Sequence, residues 1–277
     1  MTRAQHSAPP GTPANTGPVV VFRQVSIAFD GPPVLEKVSF SVAQGETRIL
    51  LGRAGVGKSV LLKLINGLMR PDHGSIELFG EDISHMPEQR LFALRSRTGM
   101  VFQEGALFDS LNVRDNVAYQ LIQERVPDDE IDQRVHEALR FVELDETFEK
   151  FPGALSGGMK RRVAIARALI RQPELLLYDS PTGGLDPVTS TTIIDLIVKE
   201  RDVYRTPSLL VTHRLQDAFT LCTNRFNAEL GHMVPLPRGE ADPSTTFLIL
   251  EEGRLIFDGT LHELVRSKDA FVREFLA

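Results

Sequence analysis

The run Gly52-Arg53-Ala54-Gly55-Val56-Gly57-Lys58-Ser59 constrains this chain more than any other feature. It matches G-x4-G-K-[ST], a pattern whose residue types answer to the shape and charge of a polyphosphate. Glycines let the backbone curl until several N–H groups point at one anion. A helix starting there adds the partial positive charge of its N-terminus. Lys58 is expected to reach the β- and γ-phosphates, and the Ser59 hydroxyl to coordinate magnesium. The pattern carries weight only between a strand and a helix. Here Thr47–Leu51 reads as a buried parallel strand ending at a glycine, and Leu61, Leu64, Ile65 and Leu68 follow at helical spacing.

The same alternation continues down the chain. Two β-rich stretches, 19–29 and 38–42, flank the turn-like Asp30-Gly31-Pro32-Pro33. Residues 83–172 read as mostly helical, with one helix start at Pro127-Asp128-Asp129-Glu130 and another near Ser156 that must end before Pro173. Strands are expected at Leu175–Asp179 and 209–213, with a helix over about 188–201 between them. Strand–helix–strand order implies an α/β fold with a parallel sheet covered by helices. Near the end, Glu252-Gly253 should turn a hairpin, and Thr260-Leu261-His262-Glu263 has capping-box spacing.

Composition excludes several classes. The net charge of −6 does not favour neutralising a nucleic-acid backbone. A basic cluster at Lys160-Arg161-Arg162, with Arg167 and Arg171, reads as the solvated face of a helix. The single cysteine, Cys222, leaves no internal disulfide. No stretch approaches the roughly eighteen apolar residues of a membrane span. Residues 1–17, rich in Pro, Thr, Ala and Gly, read as a disordered tail without the apolar core of a signal peptide.

Asp179, following the apolar Leu175-Leu176-Leu177-Tyr178, supplies the expected second magnesium group at a strand end. Between it and the glycine loop lies Leu155-Ser156-Gly157-Gly158-Met159, where a good N-cap serine and two glycines make another anion site at a helix N-terminus. With these motifs in this order, the chain resembles the ATP-binding cassette (ABC) family over residues 19–277. The resemblance implies a P-loop NTPase, RecA-like, with an N-terminal antiparallel β subdomain and an inserted α-helical subdomain at about 83–172. It implies one cassette over residues 18–277, pairing head to tail with a second copy. Each ATP would then be held by residues 52–59 of one subunit and by Ser156, Gly157 and Gly158 of the other. Phe29 falls where the family stacks an aromatic ring on adenine. Gln103 falls on the glutamine that contacts magnesium and water, Asp186 in Gly184-Leu185-Asp186 on the loop crossing the dimer interface, and His213 on the γ-phosphate histidine. Implied cofactors are ATP and Mg2+. The implied partner is a membrane permease gripped through its coupling helices, with the cassette peripheral at the cytoplasmic face of the inner membrane. No nucleic-acid partner is implied.

Two positions depart from that pattern. Ser180 stands where the family has the glutamate that polarises the attacking water, and a serine hydroxyl orients water but takes no proton at neutral pH. A slow ATPase using His213 and Gln103, and a cassette that binds ATP with little turnover, both remain open. The motif at 155–159 ends in Met159 rather than glutamine. Together with residues 102–113 it resembles the branch that powers lipid-moving transporters of the Mla (maintenance of lipid asymmetry) and Mce (mammalian cell entry) type. In that branch lipid-binding partners outside the membrane would be indirect partners. Residues 224–246 read as an insertion loop. Two rivals to a transport ATPase are a regulatory ATP-binding cassette without turnover and a non-transport cassette protein of DNA repair or translation.

Overall fold

The structure is a computed structural model and describes residues 17–276. The expectation for the first seventeen residues therefore lies, apart from Gly17, outside the described residues. In chain order the elements begin with strands β1 (Val20–Ala28), β2 (Pro33–Val42) and β3 (Thr47–Leu51), then helix α1 (Lys58–Ile65). Strands β4 (His73–Leu78) and β5 (Glu81–Asp82) precede α2 (Glu88–Arg95) and strand β6 (Thr98–Val101). Helices α3 (Val113–Gln123), α4 (Asp128–Phe141) and α5 (Gly157–Leu169) follow. Then come β7 (Leu175–Asp179), α6 (Pro187–Tyr204), β8 (Ser208–Thr212) and α7 (Leu215–Thr223). The chain ends with β9 (Asn224–Asn227), β10 (His232–Pro235), β11 (Thr245–Glu251), β12 (Arg254–Gly259), α8 (Leu261–Val265) and α9 (Ala270–Leu276).

The main sheet runs β12-β11-β3-β8-β7-β6, parallel throughout except for the final β11–β12 hairpin. Its central strands β3, β8 and β7 are buried on both faces because both faces are covered. Ile49, Leu51, Tyr178 and Leu210 point into a core shared with α3 to α7, while Leu50, Leu177, Leu209 and Val211 point into a second core. That second core is closed by the antiparallel sheet β2-β1-β4-β5 and by α1 and α2. The parallel-sheet core, the antiparallel sheet and the helices match the expected fold class.

Local chemistry explains several boundaries. Ser156 caps α5 by accepting from Met159 N at 3.2 Å, and Thr260 with Glu263 forms the expected capping box on α8. Helix α4 starts on Asp128, Asp129 and Glu130 and buries Ile131, Val135 and Leu139 along one stripe.

Three expectations are corrected. Helix α1 stops at Ile65, so Leu68 falls beyond it and is exposed; the chain turns at Gly67, which has a φ of 60°. The stretch 83–172 is not helical from its start, because Thr98–Val101 pairs with β7 inside the main sheet and α2 packs its Leu91 and Leu94 on the opposite core. Residues 224–246 are not an open loop. Their first half folds into the β9–β10 hairpin, held to α6 where Met233 N donates to Asp195 Oδ1 (2.7 Å) and Phe226 N to Asp202 Oδ2 (2.6 Å).

Candidate functional site

Strands β3, β8, β7 and β6 are neighbours, and each delivers one predicted group from its carboxyl end: the loop 52–59, His213, Asp179 with Ser180, and Gln103. Loops after parallel strands open on the same edge of the sheet, which is how four distant segments share one crevice. Gly57 caps α1 with a φ of 102°, and a Cβ there would press within 3.0 Å of Val34 and Leu35, so this turn demands glycine. Around Gly55 there is open space on the side a Cβ would take.

Lys58 is buried with its ammonium group turned onto the loop's own backbone, donating to Gly52 O at 2.7 Å and Arg53 O at 2.6 Å. Burial lowers its pKa, with Asp179 pulling the other way. Ser59 Oγ donates to Asp179 Oδ1 at 3.2 Å, so the two expected magnesium ligands already stand together. Ala54 and Val56 fill out the loop, while Arg53 points its side chain to Glu274 (3.0 Å) and the Phe271 ring.

Ser180 follows in a left-handed conformation (φ 46°), buried, with its N–H on Val211 O and its carbonyl accepting from Gly183 N, both at 2.9 Å. A Cβ on Gly183 would lie 3.3 Å from Gln103 Nε2, so the Gln103 amide rests against the turn that Ser180 opens. His213 is exposed immediately after β8, and Phe29 is half exposed between β1 and β2.

The remaining predicted residues serve their own helices. Ser156 is the α5 cap, and Asp186 caps α6, accepting from Thr189 N at 3.0 Å and from the Thr189 hydroxyl. Those Thr189 hydrogen bonds hold the Asp186 carboxyl below its ordinary pKa. Gly157 is open, with only Leu185 near, whereas a Cβ on Gly158 would stand 2.3 Å from Thr189 Cγ2. At Gly157 there is thus room for a side chain, whereas at Gly158 the packing of α5 on α6 leaves none.

The basic cluster is corrected most sharply. Arg161 is buried and donates to Phe102 O (2.8 Å) and Gly183 O (3.2 Å). Arg167 donates to Ala106 O and Gly105 O, both at 2.7 Å, and Arg171 pairs with Glu124 at 2.6 Å. Arg161 and Arg167 thus turn to main-chain carbonyls and Arg171 to a carboxylate, and the use of the first two is one that charge and spacing in the sequence do not signal.

The family model for "ABC transporter" matches residues 35–183, more than half the chain. The chain belongs to the ABC transporter family. It is accordingly a P-loop ATPase cassette, of the kind that uses ATP with magnesium. Methionine import ATP-binding protein MetN 1 of Bacillus thuringiensis subsp. konkukian is 38% identical over 262 residues, covering 93% of this ABC chain and 72% of that protein. A probable ribonucleotide transport ATP-binding protein of Mycobacterium leprae is 38% identical over 209 residues, covering 75% and 60%. Among solved structures, the cassette cbiO1 of Clostridium perfringens, part of an ABC transporter complex, superposes with a TM-score of 0.75 at 27% identity, covering 94% of this chain and 95% of that one. A dimeric ATP-binding cassette bound to ADP and Pi in a post-hydrolysis state gives 0.72 at 26%, covering 87% and 98%. The names of these relatives speak of methionine import and of ribonucleotide transport and not of lipid, which is where these findings part from the sequence expectation. Among the described residues, no helix of this ABC cassette is long and apolar enough to cross a membrane.

Proposed function

We propose that this chain is the peripheral ATPase of a membrane transporter, two copies closing on two MgATP to drive a permease. The observation that carries this reading is the Ser59–Asp179 contact beside Lys58, at the head of a capped glycine loop. The residues present fit magnesium, because the Ser59 hydroxyl and the Asp179 carboxylate set two hard oxygen donors side by side. Two oxygen ligands that leave the other positions to phosphate and water are what Mg2+ ordinarily takes. When bound, magnesium would neutralise charge between the β- and γ-phosphates.

The roles of this chain's residues follow from position. Lys58 exchanges its loop carbonyls for phosphate oxygens. Phe29 offers an exposed ring to the base. Gln103, His213 and Ser180 orient the attacking water, and at position 180 a hydroxyl stands in place of the carboxylate that would polarise it. Turnover is therefore slow unless a bound permease improves the geometry. Ser156, Gly157 and Gly158, at the N-terminus of α5, complete the partner copy's site together with Asp186 at the interface.

The test is phosphate release from MgATP by the full-length chain, alone and with the membrane protein that co-purifies with it. Stimulated turnover abolished by Lys58→Ala supports the reading. ATP binding without release under either condition favours a regulatory cassette instead.

For cargo, the names of the relatives favour import of a small solute such as methionine. A second reading, a lipid-moving transporter, is favoured by Met159 and the pattern of residues 102–113, where exposed Phe102 and Phe108 would meet the permease. ATP turnover of the reconstituted complex, measured with methionine and then with phospholipid supplied, separates them. On the relatives' reading only methionine raises it.

A further inference from the structure

Arg161 is 5% exposed, yet among the described residues no carboxylate pairs with it. Two of its nitrogens are used on main-chain carbonyls, Phe102 O and Gly183 O, and its Nε has no hydrogen-bond partner among the described residues. A buried guanidinium without an acid is costly, and a neutral side chain would fill the space more cheaply. Burial indeed lowers its pKa, opposed only by Glu104.

The two carbonyls it grips are neighbours of the hydrolytic groups. Phe102 precedes Gln103 directly. Gly183 donates its N–H to Ser180 O, and a Cβ on it would lie 3.3 Å from the Gln103 amide nitrogen. Arg167, farther along the same helix, grips Gly105 O and Ala106 O, so residues 102–106 are tied to α5 at both ends. The N-terminus of α5 carries Ser156 and Gly157, the residues read as completing the partner's site.

We infer that Arg161 is a positioning residue for ATP hydrolysis. By spanning Phe102 O and Gly183 O it sets Gln103 against the Ser180 turn and makes both follow the helix that carries Ser156. A shift of α5, when the partner's nucleotide engages its N-terminus, is thereby delivered to the water-orienting groups. The inference rests on the reading of Gln103 and Ser180 given above.

The experiment compares Arg161→Gln, Arg161→Lys, Gln103→Ala and the double variant Arg161→Gln/Gln103→Ala in the full-length chain with its membrane partner. Displacing an orienting group by a fraction of an ångström should lower kcat about tenfold in Arg161→Gln, with KM for MgATP within about twofold. Arg161→Lys should recover little of this, because one ammonium cannot fork across two carbonyls. The double variant should be no slower than the slower single, since both act through the same amide. Additive losses, an unchanged kcat, or a change in KM alone would overturn the inference.

Amide exchange gives a readout that does not depend on turnover. In Arg161→Gln, peptides covering residues 102–106 should exchange about tenfold faster while α1 and β8 stay as in wild type. Unchanged exchange at 102–106, or a uniform rise across the chain, overturns the grip. If the wild type releases no phosphate, the hydrolysis reading fails, and the positioning role falls with it even where exchange shows the grip itself.

Discussion

Ser59 Oγ and Asp179 Oδ1 meet at 3.2 Å although 120 positions separate them in the chain. Ser59 leaves the glycine loop after β3, and Asp179 ends β7. Strand β8 lies between the two in the sheet, so the contact reaches across one intervening strand. Parallel strands with right-handed helical crossovers put every strand's carboxyl end on one edge, which makes such a meeting a property of the topology.

The absent carboxylate at position 180 yields the first prediction. Ser180→Glu should raise phosphate release about a hundredfold, within the range attributed to a placed general base. Steady-state turnover at saturating MgATP, with the membrane partner present, is the measurement. An unchanged rate would mean that proton removal does not limit the reaction.

Lys58→Ala should weaken ATP binding by about ten- to hundredfold, the equivalent of ~1.5–3 kcal/mol for hydrogen bonds to charged groups. Titration with a fluorescent ATP analogue reads this directly. Retained circular dichroism would show that the loss belongs to the site and not to the fold.

At Gly158, a Cβ would collide with Thr189 Cγ2 at 2.3 Å. Gly158→Ala should therefore destabilise the chain by about 1–3 kcal/mol through overpacking. Adding Thr189→Ser removes the colliding methyl while keeping the hydroxyl that bonds Asp186. Urea unfolding should show the double variant recovering most of the loss. No recovery would place the strain elsewhere.

Glu200 predicts a pH dependence. Burial pushes its carboxyl up to about 7, against smaller opposing effects of the Thr206 hydroxyl and Arg201, and its Oε1 has no hydrogen-bond partner. Because the folded chain holds this proton more tightly than the unfolded one, the contribution to stability is fully present below about pH 4.5. It is lost as pH rises toward 7 and is constant above. Glu200→Gln should abolish that loss, gaining ~2–3 kcal/mol over wild type at pH 8 and little at pH 5. Thermal unfolding across pH 5–8 tests it; parallel curves for the two proteins would refute the assignment.

The legible parts of the molecule were those specified by neighbours in sequence. Leu175–Asp179 is an apolar run ended by a polar residue, Ser156 and Thr260 are caps for helices that begin beside them, and each formed where its local chemistry placed it. Strand β6 was obscured because Thr98–Val101 is short, contains glycine and sits among helical residues; it is a strand only because β7 offers it an edge. The β9–β10 hairpin was hidden for a related reason, since its polar residues gain their partners from Asp195 and Asp202 on α6.

The sequence by itself determined the phosphate loop, the strand that feeds it, the order of the motifs and the loss of the carboxylate at Ser180. Each of these is a matter of residue type at fixed local spacing. Only the tertiary structure decided what the arginines of α5 are for. Charge in a helix reads as solvent-facing until the fold supplies carbonyls at Phe102, Gly105, Ala106 and Gly183 to receive it. Those acceptors are main-chain atoms from loops far away in sequence, and every residue type carries the same carbonyl, so no pattern of side chains could have announced them.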